Sequence, residues 1–162
     1  MAESASIPVI RRLARADADA LDALWMAFVR EQSAADPRLA PSPEAGRLWA
    51  GTRREAADTG TPAVWVAEDV DGALVGFVVA ESFAASPVYA DAREVYVGEL
   101  YVAPAARRSG LARRLLDAAS AWAAAAGADR LRFDIASGNA AAESLVAAWN
   151  ARPLATTYTR DL

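Results

Sequence analysis

No cysteine and no histidine occur among the 162 residues, and each of the 17 basic side chains is an arginine. Without cysteine there are no disulfides, no thiolate metal ligands and no cysteine nucleophile. Without histidine the commonest general base is missing, and so is the Ser-His-Asp triad in its usual form. No metal is expected. The missing lysine, set beside abundant alanine and arginine, reads as codon bias from a GC-rich genome. No apolar run approaches the roughly 20 residues of a membrane span. The first residues, Met1-Ala2-Glu3-Ser4-Ala5-Ser6, are acidic and lack the basic-then-apolar order of a signal peptide. A cytoplasmic protein with no membrane partner is expected. The net charge of −4 argues against nucleic acid as a partner.

What remains is a chain able to bury a core: 54% of residues are hydrophobic and 23% charged. Neither a repeat nor a composition shift divides residues 1–162, so a single domain is expected. Ile7 to Leu13 reads as a strand. Asp17 can cap a helix whose apolar positions Leu21, Leu24, Trp25 and Phe28 recur at helical spacing. Ser42 and Pro43 suit the N-cap and first position of a second helix, which fades by Gly60. Ala63 to Glu68 and Ala73 to Phe83 are apolar strands around an Asp71-Gly72 hairpin signal. Ala84 to Arg93 reads as a loop and Val95 to Val102 as a strand. A helix from about Ser109 to Ala126, a strand Arg130 to Ile135, a helix Asn139 to Asn150 and a closing strand Ala155 to Arg160 complete the order. A meander followed by a strand–helix–strand crossover implies a mixed α/β sheet with helices on both faces.

The stretch Val102-Ala103-Pro104-Ala105-Ala106-Arg107-Arg108-Ser109-Gly110-Leu111-Ala112 joins an apolar strand to an amphipathic helix. Free amides and the positive end of the helix dipole at such a junction suit a phosphate. Gly110 lets the backbone come close to it, since no Cβ intervenes. Neither the lysine of a Walker loop nor the glycine spacing of a dinucleotide fingerprint is present.

With the preceding Leu100-Tyr101-Val102-Ala103-Pro104 and the following Leu115-Leu116, the run Arg107 to Ala112 resembles the Arg/Gln-x-x-Gly-x-Gly/Ala motif of the GNAT superfamily of N-acetyltransferases. Downstream, Asn139-Ala140-Ala141-Ala142-Glu143-Ser144-Leu145 resembles that family's Asn-x-x-Ala-x-x-Leu helix start. The resemblance implies a mostly antiparallel α+β sheet of about six or seven strands, about four helices and a splayed central strand. It implies acetyl-coenzyme A as donor. The pyrophosphate would lie on the amides of Arg107, Arg108, Ser109, Gly110, Leu111 and Ala112. The pantetheine arm would pair with the backbone near Leu100, Tyr101 and Val102, as an extended ligand pairs with a free strand edge. Asn139 would hydrogen-bond the arm, cap its helix, or both.

Acetyl transfer to an amine needs a base for the ammonium proton, donors for the oxyanion and an acid for the departing thiolate. With neither histidine nor cysteine, the base must be a carboxylate, acting directly or through water. Glu99 is the first choice. It shares a sheet face with Tyr101, and a carboxylate in a strand otherwise so apolar is costly to bury without purpose. A salt bridge or an exposed edge is its structural alternative. Asp134 is the second choice, with a sheet-facing or turn-capping role as its alternative. The family's acid is a tyrosine directly after the Leu of the second motif, and here that position is Val146. The usual Gly-Phe beyond that helix is replaced by Arg152-Pro153-Leu154. Tyr101, Tyr158, Ser144 or water stand as substitutes for the acid, or no side chain is needed.

The acceptor, an amine-bearing small molecule or peptide, would meet the first two helices, the Phe83 to Arg93 loop and the last strands. Candidate contacts are Trp25, Phe28, Trp49, Phe83, Tyr89 and Tyr96, with Trp25 and Phe28 better explained as core and Tyr89 the best placed on a loop. Glu31, Asp36 and Glu81 could attract a cationic amine or simply be solvated. Trp149 reads as core filling. A homodimer is plausible from the resemblance. The competing functions are a coenzyme A-binding module without turnover and, weakly, a phosphate- or nucleic-acid-binding protein that mimics the motif.

Overall fold

A computed structural model of the chain describes residues 7–83 and 93–160. Five strands form one sheet in the order β1-β2-β3-β4-β5. They are β1 (Val9–Arg12), β2 (Ala63–Glu68), β3 (Leu74–Phe83), β4 (Glu94–Val102) and β5 (Arg130–Arg132). The first four are antiparallel neighbours, and β5 joins β4 in parallel. Helices α1 (Ala18–Ala35) and α2 (Ala45–Thr59) precede β2, α3 (Leu111–Ala125) crosses from β4 to β5, and α4 (Ala140–Ala148) follows β5. The architecture is the expected mixed, mostly antiparallel α/β sheet. No described helix is long and apolar enough to cross a membrane.

Each face of the sheet carries its own core. β2 is buried from Ala63 to Ala67 because alternate side chains meet opposite layers. Ala63, Trp65 and Ala67 join Leu111, Leu115 and Leu116 of α3. Val64 and Val66 join Phe77 and the α1 residues Leu21, Trp25 and Val29. The stripe on α1 thus faces the sheet, as its spacing predicts. α3 packs close over β3 because Gly76 has no side chain: a Cβ there would stand 2.9 Å from the Tyr101 carbonyl oxygen and 3.3 Å from Leu115.

Three expectations are corrected. Ala155 to Arg160 forms no strand and is exposed throughout, so five strands are described instead of six or seven. Its three threonines offer little apolar surface to bury, and the edge strand β5 spans just Arg130–Arg132. Asp17 does not cap α1 with its side chain. Its carboxylate accepts from the Ala14 N–H at 2.8 Å and from Arg11 at 2.6 and 2.8 Å, fixing the turn before the helix. The second helix begins at Ala45, with Glu44 as N-cap, after a turn through Ser42 and Pro43.

Candidate active site

The sheet splits between β4 and β5. Their pairing covers Glu94↔Arg130, Val95↔Leu131 and Tyr96↔Arg132 and then stops. On its other side β4 shifts register against β3: Val79 faces Glu99 but Ala80 faces Val97, so Gly98 is an extra, bulged residue. The bulge reverses the side-chain alternation. Val95 and Val97 pack on the α3 side, whereas Tyr101 packs on the α1–α2 side with Phe77 and Val79, and Glu99 reaches the tryptophans of α1 and α2. A cleft of about 110 Å³ fills the split. Its walls include Gly98, Glu99 and Leu100 from β4, Phe133 to Ala136 beyond β5, Asn139 just before α4 and Val146 on it.

Glu99 is the charged group set most deeply in this region. Its Oε1 accepts from the indole N–H of Trp49 at 2.7 Å and of Trp25 at 3.2 Å. The two indoles stack with ring centres 4.8 Å apart. Oε2 is shielded and has no hydrogen-bond partner among the described residues. Burial raises the pKa of the carboxyl above its ordinary value, and the Arg53 charge and the two indole bonds oppose that shift. Desolvation winning over these partners is the condition that makes a carboxylate a stronger base.

Sequence reasoning missed Arg53. It follows Trp49 by one helical turn on α2, with its guanidinium 5.0 Å from the Trp49 ring centre. The signal was periodic: Trp49, Arg53 and Ala56 recur at i, i+4 and i+7, so an arginine occupies a core-facing position. Burial lowers its pKa from the ordinary value, against the opposing charges of Glu99 and Glu81.

The turn after β4 presents a row of free amides. Among the described residues, the N–H groups of Arg108 and of Gly110 through Arg113 have no hydrogen-bond acceptor, Ser109 closes the turn through Arg107 and Arg108, and the first helical bond runs from Arg114 N–H to the Gly110 carbonyl. Arg108 and Gly110 adopt left-handed backbone, at φ 61° and 79°. Ser109 Oγ donates back to the Ala106 carbonyl at 2.7 Å, and Leu111 anchors the helix start in the core at 2% exposure. The Arg107 side chain turns away from this row. Its Nε donates to the Val102 carbonyl at 2.9 Å, and Nη2 pairs with Glu31 at 2.8 Å.

The remaining expected residues divide between the cleft and its surroundings. Asn139 lines the cleft and also caps α4, its Oδ1 accepting from Ala142 N–H at 3.1 Å. The amide NH2 of Asn139 has no acceptor among the described residues, leaving a donor for a ligand. Asp134 lines the cleft just beyond β5, where it accepts from the Tyr96 hydroxyl at 3.0 Å. Burial and that bond raise the Tyr96 pKa. Tyr101 does not line the cleft: its ring is buried against Phe28 and Phe77, and its hydroxyl donates to Glu31 at 3.0 Å. Tyr158 is 88% exposed and Ser144 is exposed on α4, so neither is held at the cleft. Trp149 packs near Phe133 and donates to Asp117 at 2.8 Å.

Among the acceptor candidates, Trp25 and Trp49 meet at Glu99, and Phe28 lines the cleft. Phe83 contacts Tyr96 edge to face at 5.8 Å. Tyr89 lies outside the described residues. Glu31 is committed to Tyr101 and Arg107, and Asp36 to Arg38, whereas Glu81 is exposed on β3.

The Acetyltransferase (GNAT) family model matches residues 21–148. The chain belongs to this family of acetyltransferases. Solved structures share the fold at low identity. A mutant of the BH1408 protein from Bacillus halodurans superposes with a TM-score of 0.82 at 20% identity, covering 95% of this chain and 99% of that one. The aminoglycoside N-acetyltransferase AAC(6')-Iy, solved in complex with CoA, gives 0.74 at 16% identity over 99% of both chains. A ribosomal-protein-alanine N-acetyltransferase from Brucella melitensis gives 0.71 at 21% identity, over 96% of this chain and 99% of that one.

Proposed function

We propose that this chain is an N-acetyltransferase that moves the acetyl group of acetyl-coenzyme A to a primary amine by direct attack in a ternary complex. The observation that carries the reading is Glu99: a buried carboxyl with one unpartnered oxygen, at the wall of a cleft opened by a bulged strand. Glu99 accepts the ammonium proton, directly or through a water. The freed amine attacks the thioester carbon and a C–N bond forms; collapse of the tetrahedral species breaks the C–S bond, and the second nitrogen proton passes through water to the departing thiolate. Amides freed where β4 parts from β5 are the available oxyanion donors.

The residues present suit coenzyme A as a substrate. The free amides of Arg108 and Gly110 to Arg113 at the start of α3 fit a pyrophosphate. Leu100 and the Asn139 amide fit a pantetheine arm in the cleft. Arg107 supports this surface by strapping the turn to α1 rather than by touching phosphate. Asp134 stands as a reserve base, and Tyr101 as a positioning residue. Val146 leaves no tyrosine on the cleft wall. A thiolate is a good enough leaving group to depart without a side-chain acid and take its proton through water.

A coenzyme A-binding module without turnover is the second reading, and the missing tyrosine is what favours it. Thiol release from acetyl-coenzyme A across an amine, amino-acid and peptide panel separates the two. Turnover with any acceptor supports the enzyme; tight acetyl-coenzyme A binding with no turnover supports the module.

A further inference from the structure

Arg53 and Glu99 are charged partners that do not meet. Two nitrogens of the guanidinium, Nε and Nη1, are shielded and have no hydrogen-bond partner among the described residues, and Glu99 Oε2 is in the same condition. Both groups contact Trp49, so they share one region of the α1–α2 face. One indole sets their separation. Trp49 donates its N–H to Glu99 at 2.7 Å and carries the Arg53 guanidinium 5.0 Å from its ring centre. Opposite charges withdrawn from water without pairing are costly, and such groups persist where a ligand completes them.

We propose that Arg53 holds a carboxylate of the acceptor, so that the acceptor is an α-amino acid or another small amine with a carboxylate a few bonds from its nitrogen. This rests on Glu99 as the proton acceptor and names the substrate class for that site. A zwitterion answers both unmet groups at once: its ammonium faces Glu99 and its carboxylate faces the guanidinium fork, whose planar donors match carboxylate geometry. The same arginine disfavours polycationic amines, which would bring like charge against it.

Binding on the full chain with coenzyme A present tests the proposal without turnover. Calorimetry and tryptophan fluorescence would follow free L-amino acids and their matched amides in wild type, Arg53→Gln and Arg53→Lys. Wild type should bind at least one acid about 10- to 100-fold tighter than its amide. Arg53→Gln should erase that preference, Arg53→Lys should restore part of it, and coenzyme A affinity should hold in both. Equal binding of acids and amides by wild type overturns the proposal, as does a preference that survives in Arg53→Gln. An Arg53 that merely tunes Glu99 would change acids and amides alike, which also overturns it. Failure of the acetyltransferase reading is separate: no thiol is released from acetyl-coenzyme A by an acid that binds.

Discussion

Trp49 on α2 donates its indole N–H to Glu99 on β4 at 2.7 Å. The bond ties α2 to the strand that opens the cleft. It also occupies one carboxylate oxygen and leaves the other unpartnered. A base held in this way keeps one fixed lone-pair direction while burial strengthens it.

The acid limb of the kcat/KM profile should report Glu99. Its carboxyl is raised by burial, so the active carboxylate is lost at a pH above the ordinary carboxylate value. Rates measured against pH should fall through that raised limb as the medium acidifies. Glu99→Gln should abolish the limb. A limb unchanged in the variant assigns the proton to another group.

Stability should move the opposite way from activity. The folded pKa of Glu99 lies above its unfolded value, so this group supports folding below the unfolded pKa and loses that support as pH rises through the folded one. At pH 8 the ionised carboxylate therefore weighs against the fold. Glu99→Gln should melt at the same or a higher temperature than wild type at pH 8, with the difference closing as pH falls. A lower melting temperature at pH 8 would mean that Arg53 and the indoles outweigh burial.

Two variants separate the α4 cap at Asn139 from the coenzyme A contact proposed for its amide. Asn139→Ala removes the cap on α4 and should cost about 1 kcal/mol of stability. Asn139→Asp keeps an oxygen for Ala142 N–H but loses the amide donors facing the cleft. Both should weaken coenzyme A binding in calorimetry, whereas only the alanine should lower the melting temperature. Wild-type affinity in Asn139→Asp would reduce Asn139 to a cap.

Gly76→Ala tests the sheet beneath α3. Its Cβ would stand 2.9 Å from the Tyr101 carbonyl oxygen, a backbone atom that cannot step aside. Overpacking there should cost about 1–3 kcal/mol in denaturant unfolding. An unchanged midpoint would show that β4 and α3 shift freely.

These residues also show how far the sequence reaches. The stripe Leu21, Trp25, Phe28 and the strand Ala63 to Glu68 were legible because burial imposes periodicity on composition. The turn at Gly110 was legible because left-handed backbone and a helix start select glycine. The polar end of Trp25 was not: spacing marks a core residue, but its N–H reaching Glu99 depends on how α1 crosses β4. Arg107 was read as part of a phosphate seat, yet its side chain finds Glu31, which is 76 residues away along the chain. The splayed central strand was expected from the resemblance, but that the register shift falls at Gly98 depends on how two strands pair. Ala155 to Arg160 is rich in strand-favouring threonine and tyrosine, but propensity cannot supply a partner edge.

Acetyl-coenzyme A thiol release by wild type and Glu99→Gln, with acetyl-coenzyme A affinity measured for both, tests the central claim most directly. Wild type should turn over at least one amine at pH 8. Glu99→Gln should bind acetyl-coenzyme A equally well and turn over about 10²–10⁴-fold more slowly. Equal rates in the two proteins, or no release by wild type with acetyl-coenzyme A bound, would contradict it.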